Sequence, residues 1–323
     1  MCPTSAATAA FPRSLSRALE VSGAPAGAAE ALGLLLEEIC CSPSPEPAWR
    51  SSGLTGDGFP VEIAFTEAEA SFRYTVEVAG PETDAGARLS RAERLLERLG
   101  SPLPEEWSAR LRRMQSEGPL HWGAWMGGRH SAESARFKLY AEVPEGSREA
   151  WSLVADRLGP APLLLRGGLA PRFVGVEPAT RRLEVYFRVP RLEVWEVERL
   201  LGRVGLAERW PDLHELVEQA FGRPLGETVP GRFGGFSVSS PPEGPPAFTL
   251  FVACVVAFGG DGTTRRRLLE LTGERGSRLG EYARVSEPLA TRTGPRTAHL
   301  FAGFTVAARG PAVLSVGLRP PEP

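Results

Sequence analysis

The residues best suited to chemistry lie in two stretches that echo each other. "RFKLYAEVP" runs from Arg136 and "RRLEVYFRVP" from Arg181, matching Arg136 with Arg182, Tyr140 with Tyr186 and Pro144 with Pro190. Side chains alternate between the faces of a strand. One face therefore carries Arg136, Lys138, Tyr140 and Glu142, the other Phe137, Leu139, Ala141 and Val143. In the second copy Arg182, Glu184, Tyr186 and Arg188 oppose Leu183, Val185, Phe187 and Val189. Guanidinium groups offer bidentate contacts to phosphate oxygens, an ammonium offers a point charge, and tyrosine offers both a hydroxyl and a ring face for a cation. With Arg73 and a carboxylate at Glu62 as proton acceptor, this set suits transfer of a group from an allylic diphosphate.

These strands belong to a degenerate repeat. Strand, strand, helix recurs about five times, from "GFPVEIAFTE" and "SFRYTVEVAG" to "TAHLFAGFTVAA" and "AVLSVGL". Intervening helices include "RLSRAERLLERLG", closed by Gly100 at a position that favours a left-handed cap, and "RLEVWEVERLLGRVG". Residues 1–50 read as two helices and a Pro/Ser linker at Ser42–Pro47, with tails at the first ten residues and at "RPPEP", and residues 51–320 as the catalytic domain. The charged faces meet solvent in an open sheet and line a lumen in a closed barrel. Ten strands rarely stay open and flat, so the barrel is the expectation, with helices outside.

Composition narrows the partners. A net charge of −2 and a pI near 6.2 argue against nucleic acid or a polybasic membrane surface. Lys138 is the single lysine among 37 basic residues. Cys2, Cys40, Cys41 and Cys254 show neither disulfide nor zinc spacing, and no apolar run is long enough for a membrane span. A cytoplasmic protein is predicted, a monomer or weak dimer. "FGGDGTT" (Phe258–Thr264) lacks the lysine of a phosphate loop and reads as a turn with an N-cap. The histidines lack metal spacing; His299, on a strand face shared with Phe301, is the one most suited to the lumen. Trp122 and Trp125 suit either an acceptor wall or core packing.

"LTGDGFPVE" (Leu54–Glu62), "FRYTVEV", "FKLYAEVP" and "RRLEVYFRVP" together resemble the aromatic prenyltransferases of the dimethylallyltryptophan synthase type. The resemblance covers roughly residues 50–320 and is nearest to compact bacterial members, including those that prenylate cyclic peptides. It implies an α+β fold, the ABBA or PT barrel, with ten antiparallel strands from five ααββ repeats. It further implies a prenyl diphosphate donor (dimethylallyl or geranyl) and an aromatic acceptor, indole, tryptophan or a cyclic-peptide side chain. No cofactor is required, with Mg2+ at most accompanying the diphosphate; no D-D-x-x-D motif occurs. By the same resemblance Glu62 is the catalytic base. Arg73, Lys138 and Arg182 bind diphosphate, with Arg136 and Arg188 beside them, and Tyr140 and Tyr186 shield the allyl cation. Glu184 stands where the family has lysine, so it must be neutralised, by Arg136 or Arg188. Phe251, His299, Phe301, Trp122, Trp125 and Gly317 are candidates for the prenyl or acceptor pocket, Gly317 giving room for a chain longer than dimethylallyl. Two other readings stay open: a phenol- or naphthol-prenylating enzyme of the same fold, and a non-catalytic ligand-binding barrel.

Overall fold

In the computed structural model, which describes residues 11–40, 49–158, 169–230, 234–294 and 297–322, the alternation resolves into a closed ring. Its strands are β1 (Val61–Thr66), β2 (Phe72–Glu77), β3 (Ala124–His130), β4 (Ala135–Glu142), β5 (Ala170–Glu177), β6 (Arg182–Arg188), β7 (Gly235–Ser240), β8 (Ala247–Ala253), β9 (His299–Ala307) and β10 (Val313–Leu318). Every neighbouring pair is antiparallel. β1 closes the ring on β10, with Ile63 opposite Leu318 and Ala64 opposite Gly317. Closure leaves no strand edge unpaired.

Helices pack on the apolar outer face. They are α1 (Arg13–Val21), α2 (Ala26–Leu35), α3 (Ala85–Arg98), α4 (Glu105–Gln115), α5 (Arg148–Leu158), α6 (Val194–Arg203), α7 (Trp210–Phe221) and α8 (Asp261–Glu274), with shorter turns between them. Val61, Ile63, Val76, Leu139, Val174, Val185, Phe236, Leu250 and Phe304 are buried with Leu32, Leu89, Leu96, Leu200 and Leu216 of the helices in one core. Burying such side chains contributes about 1.5–3 kcal/mol each. The core therefore lies between barrel and helices, which leaves the inner face free for polar groups. α2 packs against β2 and β3. Local signals set the helix ends: the Asp84 carboxylate accepts from the Gly86 amide at 2.8 Å, α6 carries a reciprocal cap between Glu193 and Glu196, and Gly100 takes the predicted left-handed conformation (φ 68°).

Two details depart from the sequence reading. The apolar run after Ala247 ends as a strand at Ala253 and turns helical over Cys254–Ala257. In β9 the register slips between the pairs Val316↔Ala302 and Leu318↔His299, so β9 carries one residue more than β10 there. That bulge puts His299 opposite Leu318, on the outer face. The linker at Ser42–Pro47, the first ten residues, Cys2 and Cys41 lie outside the described residues.

Candidate active site

The lumen contains a cavity of ≈ 940 Å³. Mid-strand residues Glu62, Thr75, Tyr140, Tyr186 and Phe251 form its depth. It opens at the end where strands run into helices, past Trp122, Arg172, Arg188, Val255 and Phe301. Its wall is aromatic: the Tyr140 and Tyr186 rings lie 5.8 Å apart, Phe251 lies 6.0 Å from Tyr186, and Trp125 stacks on Phe173 at 4.5 Å.

Glu62 projects from β1 into this cavity. Neither a hydrogen bond nor an ion pair holds its carboxylate among the described residues, and burial alone pushes its pKa up to about 7. An acid poised there can exchange a proton at neutral pH. Its position is fixed by a neighbour without a side chain: a Cβ on Gly317 would lie 1.7 Å from Glu62 Oε1. The space at Gly317 thus holds the carboxyl group, which corrects the expectation that it lengthens a prenyl pocket.

The predicted cations share the lumen but are already paired. Lys138 on β4 contacts the Glu184 carboxylate of β6, and its Nζ donates to the Tyr186 hydroxyl at 2.9 Å. The same nitrogen sits 5.0 Å from the Tyr140 ring centre and 5.2 Å from that of Tyr186. Glu184 is therefore neutralised by Lys138, where the sequence suggested Arg136 or Arg188. Burial raises the carboxyl pKa, but Lys138, Ser237 and Tyr186 more than reverse that, so Glu184 stays ionised. Arg73 binds Glu69 at 2.8 Å, and Arg129 binds the same carboxylate. Burial opposes ionisation of Glu69, yet Arg73, Ser71 and Arg129 bring it down to about 2. Arg136 faces Glu177 at 3.6 Å, and Arg182 donates to Ser239 at 3.0 Å. Arg73, Arg136, Lys138 and Arg182 stand toward the hairpin-tip end of their strands and are not among the residues lining this cavity, whereas Arg188 is exposed at its rim.

Trp122, Trp125, Phe251 and Phe301 all border the cavity. His299 does too, but its ring is committed outward: Nδ1 is 2.6 Å from Asp261 and Nε2 is 2.7 Å from the Tyr282 hydroxyl. The bulge in β9 is the physical reason that it is no lumen base. Asp261, from "FGGDGTT", also accepts from the Ala298 and His299 amides, so that stretch is a turn and helix start as read.

Sequence reasoning missed two buried acids and one arginine. Glu142 accepts from three successive amides, those of His121 (3.0 Å), Trp122 (2.5 Å) and Gly123 (2.7 Å), and so sets the turn that presents Trp122. Glu77 accepts from Ser52 (2.7 Å), Arg88 (2.8 Å) and the indole of Trp125 (3.0 Å), which orients Trp125. Both acids precede valine at a strand end, in "VEVA" and "AEVP", and that recurrence was the available signal. Arg129 lies beside Arg73 and Arg136 in register, and no repeat marks it.

Among the described residues, no group of three or more His, Cys, Asp or Glu side chains is placed to hold a metal ion, and no helix is long and apolar enough to cross a membrane.

A closed ring of ten antiparallel strands with helices outside and a polar lumen is the ABBA prenyltransferase barrel. Solved structures bear this out. The chain is similar to 6-dimethylallyltryptophan synthase from Micromonospora olivasterospora in complex with DMASPP and Trp, at 22% identity and TM-score 0.73, covering 95% of each chain. It is also similar to 5-dimethylallyl tryptophan synthase from Streptomyces coelicolor in complex with DMASPP and Trp, at 17% identity and TM-score 0.74, covering 96% of this chain and 95% of that one. NotF in complex with brevianamide F and DMSPP aligns at 14% identity and TM-score 0.65, over 94% and 91%. At such identities the likeness establishes the fold. No family profile and no curated protein sequence matches the chain.

Proposed function

We propose that the protein is an aromatic prenyltransferase, moving an allylic prenyl group from a prenyl diphosphate, dimethylallyl or geranyl, to an indole, tryptophan or aromatic peptide side chain. The observation that carries the reading is Glu62: an unpaired carboxylate with its pKa raised to about 7, in an aromatic cavity of this particular barrel. The barrel's structural relatives include tryptophan prenyltransferases solved with DMASPP and Trp, which supports both donor and acceptor class.

In this reading the donor's C–O bond ionises and the electron pair leaves with pyrophosphate, whose growing charge is met by Arg73, Lys138 and Arg182, with Arg136 and Arg188 flanking. Tyr140 and Tyr186 present ring faces to the allyl cation. The aromatic carbon attacks that cation, and Glu62 takes the proton the acceptor loses. The cavity's aromatic wall keeps water from competing.

Incubation with dimethylallyl, geranyl and farnesyl diphosphates against tryptophan, tyrosine and cyclic-peptide acceptors, read by mass, tests this directly. A prenylated product supports the reading. The Lys138–Glu184 pair favours a second one, a non-catalytic barrel that binds an amphiphile, and absence of product from every pair would select it.

A further inference from the structure

Two donors converge on one carboxylate inside the barrel. The Lys138 ammonium contacts Glu184 and the Ser237 hydroxyl donates to it from β7, while the Tyr186 hydroxyl accepts from the same ammonium at 2.9 Å. An ammonium and two hydroxyls are also what a phosphate oxygen would recruit. The backbone is shaped for this contact. Gly175 lies opposite Glu184 in the ladder, and a Cβ there would lie 2.4 Å from Lys138 Cε. The lysine therefore reaches Glu184 by crossing a glycine. On the same face of β6, Arg182 is engaged by the neutral Ser239 hydroxyl. That gives the Glu184 carboxylate a second cation two residues away.

We infer that Glu184 is an internal competitor for the diphosphate: donor binding makes Lys138 exchange its carboxylate for a phosphate oxygen, with the Tyr186 hydroxyl alongside, so residue 184 sets donor affinity. This rests on the prenyltransferase reading above. A buried ammonium that loses its partner is left uncompensated, and the incoming anion then supplies the missing charge. Like charge beside a bound phosphate acts the opposite way.

Calorimetric titration with inorganic pyrophosphate tests it. Glu184→Gln should bind about tenfold tighter or more than the unsubstituted protein, and adding Lys138→Met should abolish the gain. Glu270→Gln removes one exposed carboxylate on α8, outside the barrel and away from the lumen cations, and should bind as the unsubstituted protein does; equal tightening there would reduce the effect to net charge and overturn the role of Glu184. If the unsubstituted protein binds and Glu184→Gln binds equally or more weakly, the inference fails while the prenyltransferase reading stands. If neither binds, both fail. Should Glu184→Gln not fold, Glu184→Ala decides: it removes the competing carboxylate outright and must tighten binding, and no change or weaker binding overturns the inference.

Discussion

The Glu62 carboxylate occupies the volume that a side chain at Gly317 would need, a Cβ there falling 1.7 Å from Oε1. Gly317 does not have the positive φ that strains other residues, so alanine fits the backbone. Gly317→Ala should consequently fold normally yet push the carboxylate aside. A misplacement of about 1 Å can cost about 100-fold in rate. Steady-state prenyl transfer with an unchanged melting temperature is the expected pair of results; unaltered turnover would show that the seat is not needed.

Glu62→Gln should separate activity from stability. Burial holds the folded-state pKa near 7 against 4.5 for the free group, so the native state keeps a proton that the unfolded state loses. Stability from this group is complete below about pH 4.5, declines as pH rises to about 7, and stays low above. Glutamine removes that penalty, worth no more than about 3 kcal/mol and less where water enters the cavity. The variant should melt higher at neutral pH while losing most transfer. In the unsubstituted protein kcat/KM should rise with pH through about 7, because the base acts deprotonated.

Glu142 is expected to govern the acceptor end. Removing its carboxylate strands the buried Gly123 amide, at about 1–3 kcal/mol for a buried donor left unsatisfied, and releases the part-buried His121 and Trp122 amides to water. Glu142→Ala should lower thermal stability and raise KM for the aromatic acceptor more than it lowers kcat. Pyrophosphate affinity, measured alongside, should hold.

At the rim, Trp122, Val255 and Phe301 remain 37%, 41% and 41% exposed, an apolar surface beside Arg172 and Arg188. Phe301→Ala and Trp122→Ala should raise acceptor KM several-fold without altering donor affinity, since both lie at the mouth and the cation set lies toward the hairpin tips. Kinetics at saturating donor would reveal this split.

Asp261 should behave as a structural acid. Burial disfavours its charge, but the His299 ring and the Ala298 and His299 amides lower its pKa overall. Its contribution is present above the unfolded value of 3.8 and is lost as pH falls through the lower folded one. Asp261→Ala strips a buried, fully bonded anion and should cost about 3–5 kcal/mol, with kcat per folded molecule preserved. Chemical denaturation and active-site titration together check it.

Much of this could be read from residue order because a closed barrel makes period two unambiguous: one face must meet the helices, so Arg136, Lys138, Tyr140, Arg182 and Tyr186 had to face inward. Glu62 followed from the same alternation. His299 could not be placed, because one inserted residue in β9 reverses every side chain beyond it and carries no composition of its own. The Lys138–Glu184 pair joins β4 to β6 across β5, a contact fixed by strand tilt and by the bare surface at Gly175. In sequence Glu77 and Glu142 are simply further members of the charged strand faces; only the turn folded over each reveals their donors.

The ladder that joins Val61–Thr66 to Val313–Leu318 also sets a clock. Glu62 emerges with the first hairpin and its seat at Gly317 with the last, so a chain still leaving the ribosome has the base but nowhere to keep it. A chain cut before its final strand lacks both that seat and the closed ring, and should be silent in prenyl transfer.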